Sequence, residues 1–208
     1  IRDRIKSATV SQMPSGKYYV SILVETEHVE LPHTDQNTGI DLGIKDLCIT
    51  SKGKKYENPK TIRKYEKKLA KLQRQLAHKK KRSQNHNKIK KKIALCHEKI
   101  TNSRKDYLHK ISHEIISENQ VIVSENLQIQ NMVKDHHLAK AISDVSWYEL
   151  TRQLEYKAKW NGRKYIKIDT FYASSQLCSV CGYQNTEIKD LSIREWSVSY
   201  KHLRAHET

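Results

Sequence analysis

Two periods of hydrophobic and polar residues alternate along the chain and set its elements. Near the N-terminus, apolar and polar positions alternate on both sides of Pro14-Ser15-Gly16, a turn signal, and Tyr18 to Val24 is rich in strand formers. This pattern predicts a β-hairpin. Polar residues from His28 to Thr38 predict a connector. The stretch "TGIDLGIKDLCITSKGKKYEN" then predicts three short strands, at Ile40 to Ile44, at Leu47 to Thr50, and beyond a turn at Ser51 to Lys54. Two short reversals in succession predict an antiparallel meander.

From Lys60 the period becomes helical. Ile62, Tyr65, Leu69, Leu72 and Leu76 step by 3, 4, 3 and 4, and Ile89, Ile93, Cys96, Ile100, Tyr107, Ile111 and Ile115 continue a similar seam, with Ser103 at one heptad position. "HKKKRSQNHNK" interrupts the seam, so a long helical hairpin with basic outer faces is predicted over about residues 60–119. "QVIVSEN" follows as a strand ending at Glu125; its continuous apolar run predicts burial on both faces, as in the middle of a mixed sheet. After a polar loop rich in His and Asn, Ser146 and Glu149 read as a capping box. Trp147, Leu150, Leu154 and Ala158 form an apolar stripe, and Gly162 marks a helix end. "KYIKID" predicts a last strand. This order describes an α/β domain built on a mixed sheet with a helical insertion, and excludes a simple helical bundle.

Charge adds a partner to this picture. The chain carries a net charge of +16, too large for an ordinary soluble enzyme, and a lean 37% hydrophobic content. Residues 52–110 hold 22 of the 39 Lys and Arg residues against four acids, Glu57, Glu66, Glu98 and Asp106, an excess of 18. A long, one-signed run predicts a polyphosphate partner, because each neutralised phosphate releases counterions.

The sequence contains Cys48, Cys96, Cys178 and Cys181. With no signal peptide and no apolar run that spans a bilayer, a reducing cytoplasm without disulfides is expected, and no membrane partner. Cys48 and Cys96 lie on apolar patterns and read as core residues. Cys178 and Cys181, followed by Gly182 in polar surroundings, have the spacing of a zinc knuckle, half of a tetrahedral site.

Two acids are candidates for metal chemistry. Asp41 lies inside an apolar strand and Glu125 ends another, where an unpaired buried carboxylate would be costly. On adjacent strands the pair would meet at one sheet edge and hold magnesium or manganese, the oxygen-seeking ions of two-metal nucleases. Gly43, two residues after Asp41, leaves room for a ligand or a backbone.

"GIDLGIKDL", "VIVSENLQIQNM", "DVSWYELTRQLEYKAKWNGRKYIKID" and "FYASSQLCSVCGYQN", in this order, resemble the TnpB (also called OrfB) transposon-encoded proteins, relatives of the type V CRISPR effectors. The resemblance covers residues 5–196 and implies an RNase H-like (RuvC) catalytic domain in which an Asp, a Glu and a final Asp bind magnesium and cleave DNA. Asp41 corresponds to the first acid and Glu125 to the second. The implied partners are DNA and a guide RNA. The implied organisation is a remnant of an upstream β-rich domain at 1–36, a RuvC-like domain at 37–172 carrying the helical hairpin, a partial zinc ribbon at 173–196, and a tail outside the family pattern at 197–208.

In that family the knuckle continues into R-x-W-x-C-x-x-C-G and then a motif bearing the last Asp. Here Arg194 and Trp196 are kept, but "SVSYKHLRAHET" follows, with no Cys, and no Asp comes after Asp190. The chain therefore reads as truncated at both ends and impaired in cleavage. His202 and His206 would formally complete a Cys2His2 site with Cys178 and Cys181, although the gap exceeds the usual spacing. Three functions follow for testing: a metal-dependent endonuclease, a nucleic-acid-binding fragment without catalysis, and a zinc-ribbon structural or ribosome-associated protein.

Overall fold

The computed structural model of the chain describes residues 4–127, 134, 145–169, 172, 176–178, 180–186 and 196. The chain divides into two compact units, residues 1–167 and 168–208.

The first unit opens with the expected hairpin, β1 (Arg4–Gln12) against β2 (Tyr18–Glu25). Its turn closes through the Met13 N–H on the Lys17 carbonyl at 2.9 Å, and Gly16 takes φ +84° there, a conformation that glycine adopts without strain. Both strands are largely exposed, with Val10, Tyr18, Val20 and Leu23 each about 60% or more accessible. The hairpin therefore gains little from apolar burial, and its tip is held by polar contacts. Lys17 Nζ and the Tyr19 hydroxyl both donate to Glu98 Oε1, at 2.8 and 2.6 Å. The Glu98 side chain is buried, and its carboxyl is held down at about 2 by the Lys17 hydrogen bond first, then by Ser15 and Tyr19.

Because that value is depressed, the stabilisation from Glu98 is present above the ordinary 4.5 and is lost as pH falls through about 2. In Glu98→Gln, hydrogen exchange of the β1 and β2 amides is expected to accelerate at neutral pH and to lose the acid dependence shown by the native chain. Unchanged protection would mean that the hairpin is held elsewhere.

The five-stranded sheet has the order β5-β4-β3-β6-β7. β3 (Asn37–Leu42), β4 (Asp46–Thr50) and β5 (Lys55–Glu57) form the antiparallel meander, whereas β6 (Val121–Glu125) joins β3 in parallel and β7 (Lys164–Ile168) lies outside it. The sheet is mixed, as the pattern predicts. β6 differs from expectation in its burial: Ile122 and Ser124 are buried, while Val121, Val123 and Glu125 are only half-buried. One face of the sheet is packed more deeply than the other.

The helical hairpin consists of α1 (Thr61–Ala77) and α2 (Gln84–Glu118), with the Ser83 hydroxyl accepting from the His86 N–H to cap α2. Leu72, Cys96 and Ile100 are buried between them, with Ile62, Tyr65, Leu69 and Ile93 packed alongside. Further along, α2 widens its apolar stripe: Leu108, Ile111, Ile115 and Ile116 are all buried in the main core with Ile40, Leu42, Leu47 and Ile122. Leu108 and Ile116 lie off the seam read from the sequence, because α2 there faces the sheet and α3 (Trp147–Trp160) instead of α1.

The start of α3 corrects the expected capping box. Ser146 sits in the left-handed region at φ 56° and its side chain makes no cap hydrogen bond; the Glu149 carboxylate goes to Arg152 and Gln153. Val145 and Trp147, on either side, are 1% and 3% exposed, so packing of these two sets the backbone between them. The end of α3 follows expectation. Gly162 has φ +64°, the Arg163 N–H reaches back to the Ala158 carbonyl at 2.9 Å, and a Cβ at Gly162 would lie 2.4 Å from Glu30 Oε2. Arg163 is itself 8% exposed, and donates to the carbonyls of Ile116 and Pro32 and to Gln120 Oε1, tying the connector before β3 to the end of α2.

The His- and Asn-rich loop lies mostly outside the described residues, as does the stretch from 197 to 208. No helix among the described residues is long and apolar enough to cross a membrane.

Candidate metal centre and nucleic-acid interface

The parallel register of β3 and β6 sets Ile40 opposite Ser124, so one step further Asp41 and Glu125 are neighbours on adjacent strands. Strands in a sheet lie about 4.8 Å apart, and residues in phase share a face. Ile40 and Leu42 point into the core, which turns Asp41 outward. Asp41 is exposed, and this corrects the expectation of a carboxylate buried in an apolar strand: the strand alternates, and only its other face is packed. Glu125 is half-buried. Its carboxyl is raised above the ordinary range, by burial first and by the Asp41 charge second. The same charge adds to burial in pushing the Cys48 thiol up to about 12. Cys48 and Cys96 are both buried free thiols, as their patterns predict.

The position of Asp41 depends on the turn after it. The Gly43 N–H donates to the Leu47 carbonyl at 3.3 Å, and a Cβ on Gly43 would stand 2.9 Å from the Asp46 carbonyl oxygen. Glycine is required here for close approach of a backbone. From the other side, the indole N–H of Trp147 donates to the Gly43 carbonyl at 3.2 Å, joining the start of α3 to the turn.

A small cleft of about 180 Å³ opens beside Glu125, lined among others by Leu42, Tyr148, Arg152, Glu155 and Lys167. Arg152 is held by Glu149 through two hydrogen bonds, and Lys167 pairs with Glu155 at 3.0 Å. These α3 residues are absent from the sequence-derived site. Their signal was available, since Tyr148, Thr151, Arg152 and Glu155 form the polar stripe opposite Trp147, Leu150, Leu154 and Ala158. Among the described residues, no group of three or more His, Cys, Asp and Glu side chains is placed to hold one metal ion. Asp41 and Glu125 stand as a pair.

In the second unit, Cys178 and Cys181 flank a tight reversal. Leu177 and Gln184 form an antiparallel bridge, the Cys178 N–H donates to the Tyr183 carbonyl at 2.9 Å, and the Gly182 N–H donates to the Cys178 carbonyl at 2.9 Å. Gly182 takes φ +71°, which the turn needs and glycine supplies. Backbone N–H groups of Cys181 and Val180 lower the Cys178 thiol below its ordinary value, favouring the thiolate that binds metal. His202 and His206, offered above as completing ligands, lie outside the described residues.

Comparison with known proteins identifies the family. Residues 21–136 match the OrfB_IS605 family model, described as "Probable transposase", and residues 147–206 match the Cas12f1-like TNB domain model. The second match runs beyond Trp196 into the stretch that was expected to lie outside the family pattern. A protein of Streptomyces pristinaespiralis named "Putative RNA-guided DNA endonuclease" is 42% identical over 92% of this chain and 47% of its own length. "Putative RNA-guided DNA endonuclease InsQ" of Escherichia coli (strain K12) is 37% identical over 88% of this chain and 49% of its own length. The chain thus spans about half the length of these relatives. In fold it resembles the chain of a Cas12f1-sgRNA-target DNA complex solved by cryo-EM, with a TM-score of 0.54 at 16% identity, over 91% of this chain and 38% of that one. With its first family model matching more than half of its residues, this chain belongs to the OrfB_IS605 family.

Proposed function

We propose that the chain carries the RNase H-like (RuvC) core of a metal-dependent, RNA-guided DNA endonuclease, with Asp41 and Glu125 as its first two metal-binding acids. The observation that carries this reading is their adjacency on one face of parallel β3 and β6. The names of its relatives support the substrate and the guide.

The donor set fits a hard cation. Two carboxylates from separate strands suit magnesium or manganese, and magnesium sites use one or two carboxylates and complete their shell with water and substrate oxygens. When bound, such an ion activates water and offsets charge at the phosphate under attack. The chain's own residues do the rest. Asp41, exposed, offers its carboxylate from the sheet surface, while Glu125, half-buried and raised, becomes a full anion only once its proton has left. Leu42 and the Trp147-to-Gly43 hydrogen bond fix the strand end that carries Asp41. Cys178 and Cys181 are proposed to hold zinc in the second unit, with the lowered Cys178 thiol as the supporting feature.

A labelled DNA assay with manganese or magnesium tests the proposal. Whatever cutting occurs should need the metal and disappear in Asp41→Ala. Robust cutting that survives Asp41→Ala would overturn the site. The second reading, a binding module without catalysis, rests on the excess of 18 positive charges over residues 52–110. Tight, salt-sensitive binding with no metal-dependent cutting would select it.

A further inference from the structure

A second cleft in the first unit uses none of the residues of the acid pair. It is a cleft of about 800 Å³ between α1, α2 and the tip of the β1–β2 hairpin. Its walls have two chemistries. Lys68 and Lys71 on α1, Lys92 and Lys99 on α2, and Lys17 on the hairpin tip supply five cations. Leu72, Cys96 and Leu95 supply apolar surface, Leu72 and Cys96 being buried and Leu95 38% exposed. Tyr65 adds an aromatic ring, with Lys99 Nζ 5.7 Å from its centroid.

The single acid of the wall, Glu98, is paired through Oε1 with Lys17 and Tyr19, so Lys17 offsets its charge and the other four lysines remain. Lys68, Lys71 and Lys92 have no acid partner among the described residues. Unpaired lysines on both sides of a recess select a polyanion. The wall on α2 runs from Lys92 to Ser103, about 16 Å at 1.5 Å per residue, which is long enough for more than one phosphate.

An apolar, aromatic floor beneath a cationic rim is not what a phosphate track alone requires. A duplex keeps its bases stacked inside and would touch only the rim. A single strand can lay a base against Tyr65 and the exposed Leu95 while its phosphates meet the lysines, the arrangement that stacking platforms use. We propose that this cleft is a binding site for single-stranded nucleic acid, with a base against Tyr65 and flanking phosphates on Lys68, Lys71, Lys92 and Lys99. The site is separate from Asp41 and Glu125, and its occupation does not depend on their role.

Fluorescence anisotropy of the whole 208-residue chain with a labelled single-stranded RNA, the same sequence as DNA, and the corresponding blunt duplex tests the proposal. Both single strands should bind more tightly than the duplex, and the tighter of the two identifies the natural ligand. Lys68→Gln with Lys92→Gln should lower the salt slope of single-strand binding by about 1.4, at about 0.7 per phosphate contact. The same charges removed at exposed Lys159 and Lys164 should leave it unchanged.

Tyr65→Ala should weaken single-strand binding about five- to a hundredfold, in line with the cost of losing one stacked base, while leaving duplex binding unaltered. Tyr65→Phe should restore it, and an unchanged circular dichroism melt of Tyr65→Ala beside its unaltered duplex binding separates stacking from loss of fold. A photoreactive thiouridine in the RNA should crosslink within residues 65–103. Crosslinks elsewhere, equal affinity for duplex and single strand, or displacement by polyglutamate as effective as by oligonucleotide would overturn the proposal. Asp41→Ala should bind the single strand like the native chain, so failure of the nuclease reading leaves this result intact.

Discussion

Replacing Trp147 by alanine is expected to destabilise the first unit by about 3–5 kcal/mol, the range for removing a buried aromatic from a core. Trp147 is 3% exposed and sits in the main core with Ile40, Leu42, Leu150 and Leu154, so its removal leaves a cavity where α3 meets the sheet. It also leaves the Gly43 carbonyl without the indole N–H that now reaches it at 3.2 Å. For a unit of this size the loss corresponds to roughly 6–20 °C in Tm, easily read from thermal melts followed by circular dichroism. Trp147→Phe separates the two contributions. It keeps most of the apolar contact and loses the N–H, and a cost of about 1 kcal/mol is expected from the hydrogen bond. Hydrogen exchange at the Gly43 amide, which donates to Leu47, should quicken in both variants, because the turn loses its clamp. A Trp147→Ala chain within about 1 kcal/mol of the native one would show that the indole does not support the strand that presents Asp41.

That coupling between a core residue and the acid-bearing turn was not readable from the sequence, although both parts were. The stripe of Trp147, Leu150, Leu154 and Ala158 announces a helix by its period, and "GIDLGIKDL" announces two strands with a tight reversal. What joins them is a bond from a side chain to a backbone carbonyl 104 residues away, and carbonyls carry no residue signature. Arg163 is a similar case: two of its three partners are backbone oxygens.

Local motifs were also overridden by packing. Ser146 has the right spacing to Glu149 for a capping box, but burial of Val145 and Trp147 places it in the left-handed region, where its hydroxyl does not cap. Asp41 and Glu125 were singled out because acids are unusual in apolar strands, and the parallel register does make them neighbours. The supposed burial of Asp41 failed because period-two alternation had already assigned it to the less packed face. The helical hairpin was the most legible part, since a seam repeated over many turns leaves few alternatives. The cleft between α1, α2 and the hairpin tip was not legible at all, for it depends on where Lys17 lands relative to Glu98, 81 positions further along the chain.

Asp41→Asn is expected to reduce manganese affinity by at least about tenfold while making the metal-free chain less sensitive to pH, and the two effects have one cause. The Glu125 carboxyl is raised by burial first and by Asp41 second, so the folded chain holds the Glu125 proton more tightly than the unfolded chain does. With more protons bound when folded, the contribution of Glu125 to stability is present below the ordinary 4.5 and falls as pH rises through the raised value. Removing the Asp41 charge lowers the Glu125 value part of the way and flattens that loss; burial, the larger cause, keeps it from returning fully.

A bound divalent ion acts in the opposite sense. It favours the deprotonated pair, so manganese affinity of the native chain should grow with pH across the range in which Glu125 ionises. Thermal melts with and without manganese chloride, repeated from acid to neutral pH, read both effects in one experiment. The native chain should gain about 2.7 kcal/mol from free metal at a hundred times its Kd, and Asp41→Asn and Glu125→Gln should gain far less at the same concentration. Loss of metal stabilisation together with unchanged or improved stability without metal is the mark of a carboxylate pair kept for binding at the expense of fold stability. If both variants are stabilised by manganese as strongly as the native chain, the ion binds elsewhere, and the adjacency of Asp41 and Glu125 reflects only the register of β3 and β6.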